Sequence, residues 1–261
     1  MSAITRSFDQ HHTVPWRDAV LSVDQFSRGD IADIFALADR VAASPFRPLT
    51  GRTLANLFYE PSTRTSSSFH AAMVRLGGSV IPINEVHYSS VSKGESLEDT
   101  VRTLECYADL IVLRHYDNDA AERAATVCAI PIINAGNGTG EHPTQALLDL
   151  YTIHQERGAI DGLTVTMMGD LKFGRTVHSL TKLLRMYDVK LRFVSPAALA
   201  MPPDYLREGD ECHAELGSVV AETDVLYVTR VQTERCAETP SSDVSYAVTP
   251  ADMARARPDM V

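Results

Sequence analysis

Short apolar runs alternate along the chain with stretches whose apolar residues recur at helical spacing. Residues 54–59 (L-A-N-L-F-Y) form an apolar run suited to a buried strand. Glu60 and Pro61 break it, and Ser62 or Thr63 can cap a new helix. Phe69, Met73, Val74 and Leu76 then recur on one helical face, and Gly77 and Gly78 stop it. Upstream, residues 27–43 place Ile31, Ile34, Phe35, Ala38 and Val41 at helical spacing, closed by Pro45. The first twenty or so residues read as a loose arm.

The alternation continues. Residues 79–83 predict a second strand, 96–107 a helix, 110–113 a third strand ending in Arg114 and His115, 119–127 a helix, and 130–133 a fourth strand. A Gly-rich segment, N-A-G-N-G-T-G-E, follows. His142, Pro143, Thr144 and Gln145 open a helix with Leu147, Leu148, Leu150 and Tyr151 available for its buried faces, and Pro143 suits a first helical turn. After Gly158 the pattern restarts: strands at 163–168, 191–194 and 225–228, with a helix from the G-D-L-K-F-G-R segment to about Met186. This order predicts an α/β fold of two doubly wound domains, each a mainly parallel sheet flanked by helices. The expected domains are 1–145 and 146–261, joined by the helix 143–157.

Composition narrows the function. Hydrophobic residues make up 44% and charged residues 22%, a globular balance. Against 24 Lys and Arg stand 34 Asp and Glu, so the formal charge of −10 argues against coating nucleic acid or an anionic membrane. A bound anion must be held by a local cluster of cations. Cys106, Cys128, Cys212 and Cys236 form no C-x-x-C pair, which argues against a zinc knuckle or redox motif and fits a reducing compartment. No apolar run approaches a membrane span and no signal-peptide core is present, so the expected location is cytoplasmic.

The densest candidate chemistry lies at 62–65. Ser62, Thr63, Arg64 and Thr65 occupy the first turn of a helix that follows a strand. Backbone N–H groups at a helix start attract an anion, and hydroxyls with a guanidinium add donors suited to phosphate. Arg114 just past a strand lies where ligands gather in open parallel sheets. His142 sits at a helix start beside a Gly-rich approach and near Gln145, which favours a ligand contact over a plain cap. Residues 89–100 form a polar loop with one lysine, Lys93. In the second half, Gly169 and Asp170 lack the G-x-G-x-x-G spacing of a dinucleotide turn. Instead Arg175 falls in a first helical turn and Arg230 at a strand end, repeating the placement of cations seen in the first half. Two such clusters facing one cleft would hold two anionic substrates.

S-T-R-T at 62–65, S-S-V-S-K-G-E at 89–95, R-H at 114–115, H-P-T-Q at 142–145, G-D-L-K-F-G-R-T-V-H-S at 169–179 and T-R-V-Q-x-E-R at 229–235 come in one order. In these motifs the chain resembles the catalytic chain of aspartate carbamoyltransferase, nearer the eukaryotic type, from about Leu49 to its last residue. The sister family for ornithine shares S-T-R-T and H-P-x-Q but would not place two arginines beside a cationic substrate.

The resemblance implies roles. Ser62, Thr63, Arg64 and Thr65 hold the phosphate of carbamoyl phosphate. Arg64, Thr65, Arg114 and His142 lie near the carbonyl oxygen, and Gln145 orients the carbamoyl amide. Arg175 and Arg230 pair with the carboxylates of L-aspartate, assisted by Gln232. Ser89 and Lys93 reach the active site of a neighbouring subunit, so the site is shared within a homotrimer. No metal and no cofactor is implied. The family also continues into a strand and an H-P-L-P-R loop beyond the position of Val261. Two expectations correspond: the sequence is part of a longer protein, or the chain is a shortened form, and a shortened form would bind substrates with weaker turnover and expose an apolar groove on the first domain. A non-catalytic subunit and a carbamoyltransferase for another amino acid are the alternative readings.

Overall fold

A computed structural model describes residues 15, 18–44, 47–84, 90–231 and 247–261 of the chain. Contacts divide it into two compact units, Met1–Thr144 and Gln145–Val261.

The first unit is built on a four-stranded sheet with strand order β2-β1-β3-β4, every pairing parallel. The strands are β1 (Thr53–Phe58), β2 (Ser79–Ile83), β3 (Leu110–His115) and β4 (Ile132–Asn137). The helices are α1 (Arg28–Ala43), α2 (Thr63–Arg75), α3 (Leu97–Leu104) and α4 (Ala120–Val127). Alternate residues of β1 and β3 feed two cores. Ala55, Leu57, Ile111 and Leu113 pack with Leu97, Val101, Ala120 and Ala124 of α3 and α4. Leu54, Phe58 and Val112 pack with Met73 of α2, with Phe69 beside them. Burial on both faces is why these strands read as unbroken apolar runs.

Helix α2 ends in a Schellman arrangement. Gly77 N–H donates to the Val74 carbonyl at 3.0 Å and Gly78 N–H to the Met73 carbonyl at 2.9 Å, with Gly77 at φ 95°. Several boundaries differ from expectation. Val74 and Val41 lie on solvent-facing sides of α2 and α1. Pro45 lies outside the described residues. Helix α3 stops at Leu104 rather than near Tyr107. The N-terminal arm is not loose to its end: Val20 bridges Ile133 in parallel, and Ala19, Leu21, Val23 and Phe26 are buried. Strand β4 starts at Ile132 and runs through Asn137, into the segment read as a loop. Its Asn134 Nδ2 donates to the Leu21 carbonyl at 2.9 Å, and its Oδ1 accepts from Gly136 N–H at 2.8 Å. Those bonds let a buried strand carry an amide.

Helix α5 (Pro143–Arg157) crosses the division between units within its first turn. It buries Ala146, Leu150 and Ile153, while Leu148, expected inside, is exposed. The second unit's sheet has order β7-β6-β5-β8, again parallel throughout. Its strands are β5 (Thr164–Met168), β6 (Lys190–Val194), β7 (Glu211–His213) and β8 (Val225–Val228). Helix α6 (Arg175–Leu184) buries Val177, Leu180, Leu183 and Leu184, and a short α7 (Pro250–Met253) follows the undescribed segment. Strand β7 has no signal in the apolar pattern. It pairs with β6, whose buried Arg192 binds Glu211 and Glu222, each at 2.7 Å. Near the chain's last residue, Val261 N–H donates to the Asp224 carbonyl at 3.0 Å, and Leu226 N–H to the Val261 carbonyl at 2.8 Å. Two four-stranded parallel sheets with flanking helices bear out the α/β doubly wound expectation.

Candidate active site

In the first unit, the carboxyl ends of β1, β3 and β4 gather the predicted groups. Ser62 is the N-cap of α2, its Oγ accepting from Thr65 N–H at 3.3 Å. Thr63, Arg64 and Thr65 make the first turn, which holds no acidic residue. Arg64 is solvent-exposed at this helix start, where the partial positive charge of the backbone favours an anion. A buried polar link fastens the turn to the sheet. Asn56 of β1 donates through Nδ2 to Ser66 Oγ at 3.0 Å, and Ser66 Oγ donates to Asn84 Oδ1 at 2.7 Å.

Arg114 pairs in register with Phe58 on the neighbouring strand. Its Nη1 donates to the Ala135 carbonyl at 3.4 Å, and its Nε lies 3.4 Å from Glu60 Oε2. Glu60, just past β1, was not singled out by the sequence reading; its signal was no more than an acid beside the S-T-R-T turn. His115, next to Arg114, is buried, accepts at Nδ1 from Asp117 N–H at 2.9 Å, and lies tilted against Tyr59 with ring centroids 4.4 Å apart. Burial lowers its pKa from the ordinary histidine value.

His142 is buried immediately before α5, its Nδ1 3.4 Å from Thr144 Oγ1. The loop that delivers it is tied down. Asn137 Oδ1 accepts from Glu141 N–H at 2.8 Å, and the Glu141 carboxylate accepts from Ser22 Oγ at 2.9 Å and Val23 N–H at 2.8 Å. Lys93 ends a 3-10 turn (Ser90–Lys93) and is exposed, with no ion pair among the described residues. Ser89 lies outside the described residues.

In the second unit, Arg175 and Arg230 follow adjacent strands, β5 and β8, which pair Met168 with Val228. Asp170, fully buried after β5, accepts from Phe173 N–H at 3.0 Å and so shapes the turn into α6. Arg175 is the first residue of α6 and is buried. Arg230 is exposed and donates to the Val231 carbonyl at 3.3 Å. Gln232 lies outside the described residues.

Gln145 has partners that the apolar pattern did not reveal. Its Nε2 donates to Asp149 Oδ1 at 2.8 Å, and the Tyr227 hydroxyl donates to Asp149 Oδ2 at 3.0 Å. Burial raises the Asp149 carboxyl and the Tyr227 phenol above their ordinary pKa values. The available signal was Asp149 standing four residues after Gln145, one helical turn away.

Thus 62–65, Arg114 and His142 share one edge of the first sheet, and Arg175 and Arg230 share one edge of the second. Among the described residues, no group of three or more His, Cys, Asp and Glu could hold a metal ion, and no helix is long and apolar enough to cross a membrane.

Parallel α/β sheets with arginines and helix starts on their carboxyl edges define an open α/β protein with cations placed where such folds gather ligands. Comparison with known proteins narrows that class. Residues 18–155 match the aspartate/ornithine carbamoyltransferase carbamoyl-P binding domain, and residues 161–261 match the Asp/Orn binding domain of the same family. The chain is 49% identical over 227 residues to the aspartate carbamoyltransferase catalytic subunit of Thermococcus gammatolerans, covering 83% of this chain and 74% of that protein. It is 51% identical over 234 residues to the multifunctional protein pyrABCN of Emericella nidulans, covering 84% of this chain. It spans only about a tenth of that protein's length, and a similar share of the other multifunctional relatives. Aspartate transcarbamoylase of Trypanosoma cruzi, solved with carbamoyl phosphate and aspartate, superposes with a TM-score of 0.84 at 45% identity, covering 94% of this chain and 82% of that one. The chain belongs to the aspartate/ornithine carbamoyltransferase family.

Proposed function

We propose that this chain transfers the carbamoyl group of carbamoyl phosphate to the α-amine of L-aspartate, giving N-carbamoyl-L-aspartate and phosphate in pyrimidine biosynthesis. The observation that carries the choice of aspartate is the pair Arg175, which opens the helix after β5, and Arg230, just past the neighbouring strand β8. Two guanidiniums suit two carboxylates and repel a cationic side chain.

In this reading Ser62, Thr63, Arg64 and Thr65 hold the phosphate, with Ser89 and Lys93 contributed by a neighbouring subunit of a homotrimer. Arg64, Thr65, Arg114 and His142 stabilise the carbonyl oxygen as it gains charge, and Gln145 meets the carbamoyl amide. Arg175, Arg230 and Gln232, with Lys93, hold aspartate. The unprotonated amine attacks the carbonyl carbon, a C–N bond forms, and the C–O bond to phosphate breaks. Phosphate departs with the bonding pair and takes up the amine proton. An acyl phosphate is already activated, so orientation and oxyanion stabilisation suffice. Orientation alone can supply about 7–11 kcal/mol. No nucleic acid or membrane partner enters this scheme, and the proposed location is the cytosol.

The test is a colorimetric ureido-product assay with aspartate and ornithine offered separately. Product from aspartate alone supports the assignment. Product from ornithine alone, or binding of a bisubstrate phosphonate with no turnover of either amino acid, rejects it.

A further inference from the structure

Asp149 lies outside every role assigned above, yet both of its oxygens are engaged and one of them holds a proposed ligand group. It stands one helical turn after Gln145 on α5. Its two oxygens are both taken: Oδ1 by Gln145 Nε2 at 2.8 Å and Oδ2 by the Tyr227 hydroxyl at 3.0 Å. The Thr176 side chain lies close enough to the Tyr227 phenol to act on its ionisation. Tyr227 belongs to β8, which leads to Arg230, and Thr176 follows Arg175 in α6. The acid is therefore tied to β8, whose Tyr227 lies beside α6.

An ionised carboxylate only accepts hydrogen bonds. The end of Gln145 that faces it must be the NH2 group, which settles which way the amide is turned. The other end, the carbonyl Oε1, is left to meet a ligand, and it has no hydrogen-bond partner among the described residues. A fixed acceptor recognises a donor. A carbamoyl group carries an N–H donor on its carbonyl carbon, whereas an acetyl group of the same shape does not.

We propose that Asp149 is a positioning residue that locks Gln145 with its amide oxygen towards the acyl phosphate, and so selects a carbamoyl over an acetyl group. This rests on the reading that Gln145 contacts the carbamoyl amide. A glutamine free to rotate could offer either end and would discriminate poorly. A helix-supporting Gln–Asp pair alone would not need the Tyr227 link.

The experiment measures the KM of carbamoyl phosphate and the Ki of acetyl phosphate, as its competitive inhibitor, for wild type, Asp149→Asn and Tyr227→Phe. Wild-type ureido product from aspartate is established first. Its absence removes the functional reading, and this inference with it. In Asp149→Asn the new amide can present a donor to Gln145 and turn it over. The KM of carbamoyl phosphate should then rise at least about tenfold while the Ki of acetyl phosphate moves less than about twofold. Tyr227→Phe keeps the Gln145–Asp149 bond but removes one clamp, and should shift the ratio of the two constants in the same direction by less. If Asp149→Asn does not fold, the Tyr227→Phe ratio decides. With an active wild type, a ratio that stays unchanged in the folded variants overturns the proposal, whether the two constants rise together or do not move.

Discussion

Gly169 lies against the backbone of Thr229: a β-carbon on Gly169 would fall 2.1 Å from the Thr229 carbonyl oxygen. Gly169 also holds φ at 121°, a region L side chains rarely enter. The two residues follow β5 and β8, and the loops beyond them carry Arg175 and Arg230. Contact between those loops keeps the two arginines on one edge. Gly169→Ala should cost about 1–3 kcal/mol from backbone strain alone, and more from the clash. A lower Tm with an aspartate KM raised more than that of carbamoyl phosphate is the expected outcome. A wild-type Tm would show that the seam yields freely.

Glu60 and Arg114 make the comparable contact in the first unit, at 3.4 Å. Loss of one oxyanion donor typically lowers the rate about 10²–10³-fold. Arg114→Ala should therefore reduce kcat by about that factor and also lower Tm, because Glu60 is left without its cation. Glu60→Gln should leave the cation in place and cost far less. Equal losses in the two variants, measured by steady-state kinetics, would assign Arg114 a structural role only.

The arginines of the second unit should act on one substrate. Truncating one partner of a hydrogen-bonded charge pair costs about 2–5 kcal/mol. Arg175→Ala and Arg230→Ala are each expected to raise the aspartate KM by at least about thirtyfold on that basis. Carbamoyl phosphate binding by calorimetry should be preserved in both. Arg175 is buried, so its removal also disturbs the start of α6 and should lower Tm more than removal of the exposed Arg230.

Ser62 serves the fold and the proposed ligand at once, and two substitutions separate these. Ser62→Ala loses the N-cap bond to Thr65 and should destabilise by about 1 kcal/mol. Ser62→Gly should cost only a few tenths of that loss in stability, since glycine is tolerated at N-caps, at roughly the same penalty in phosphate affinity. Thermal melts with and without inorganic phosphate read both quantities. Equal phosphate stabilisation in wild type and Ser62→Gly would exclude the hydroxyl from the anion site.

Glu211 gives a pH signature in the second unit. Hydrogen bonds from Lys190 and Arg192 hold its carboxyl down at about 2, below the ordinary 4.5. A depressed folded value means the pair stabilises fully above the ordinary range and loses that contribution as pH falls towards 2. Glu211→Gln should lower Tm at neutral pH, and the gap to wild type should close between about pH 4.5 and 2. A gap constant across that range would remove the ion pair as the cause.

Most strands and helix starts were legible in the residues themselves, because burial of a parallel sheet on both faces leaves apolar runs such as 54–59, 110–113 and 163–168, and a cap such as Ser62 acts within one turn. The order of the motifs was enough to indicate the family. The placement of Arg114 and Arg230 at strand ends, and of Ser62, Arg64 and Arg175 at helix starts, followed from the same local pattern. Tertiary structure decided what depends on distant partners. Strand β4 continues through Asn134 because Leu21, far upstream, accepts its amide, and β7 exists because Arg192 and Glu211 meet across two strands. Glu60 against Arg114, and Asp149 between Gln145 and Tyr227, were silent for the same reason: a polar side chain's role is set by the partner it finds after folding, and neither apolar periodicity nor capping encodes that partner.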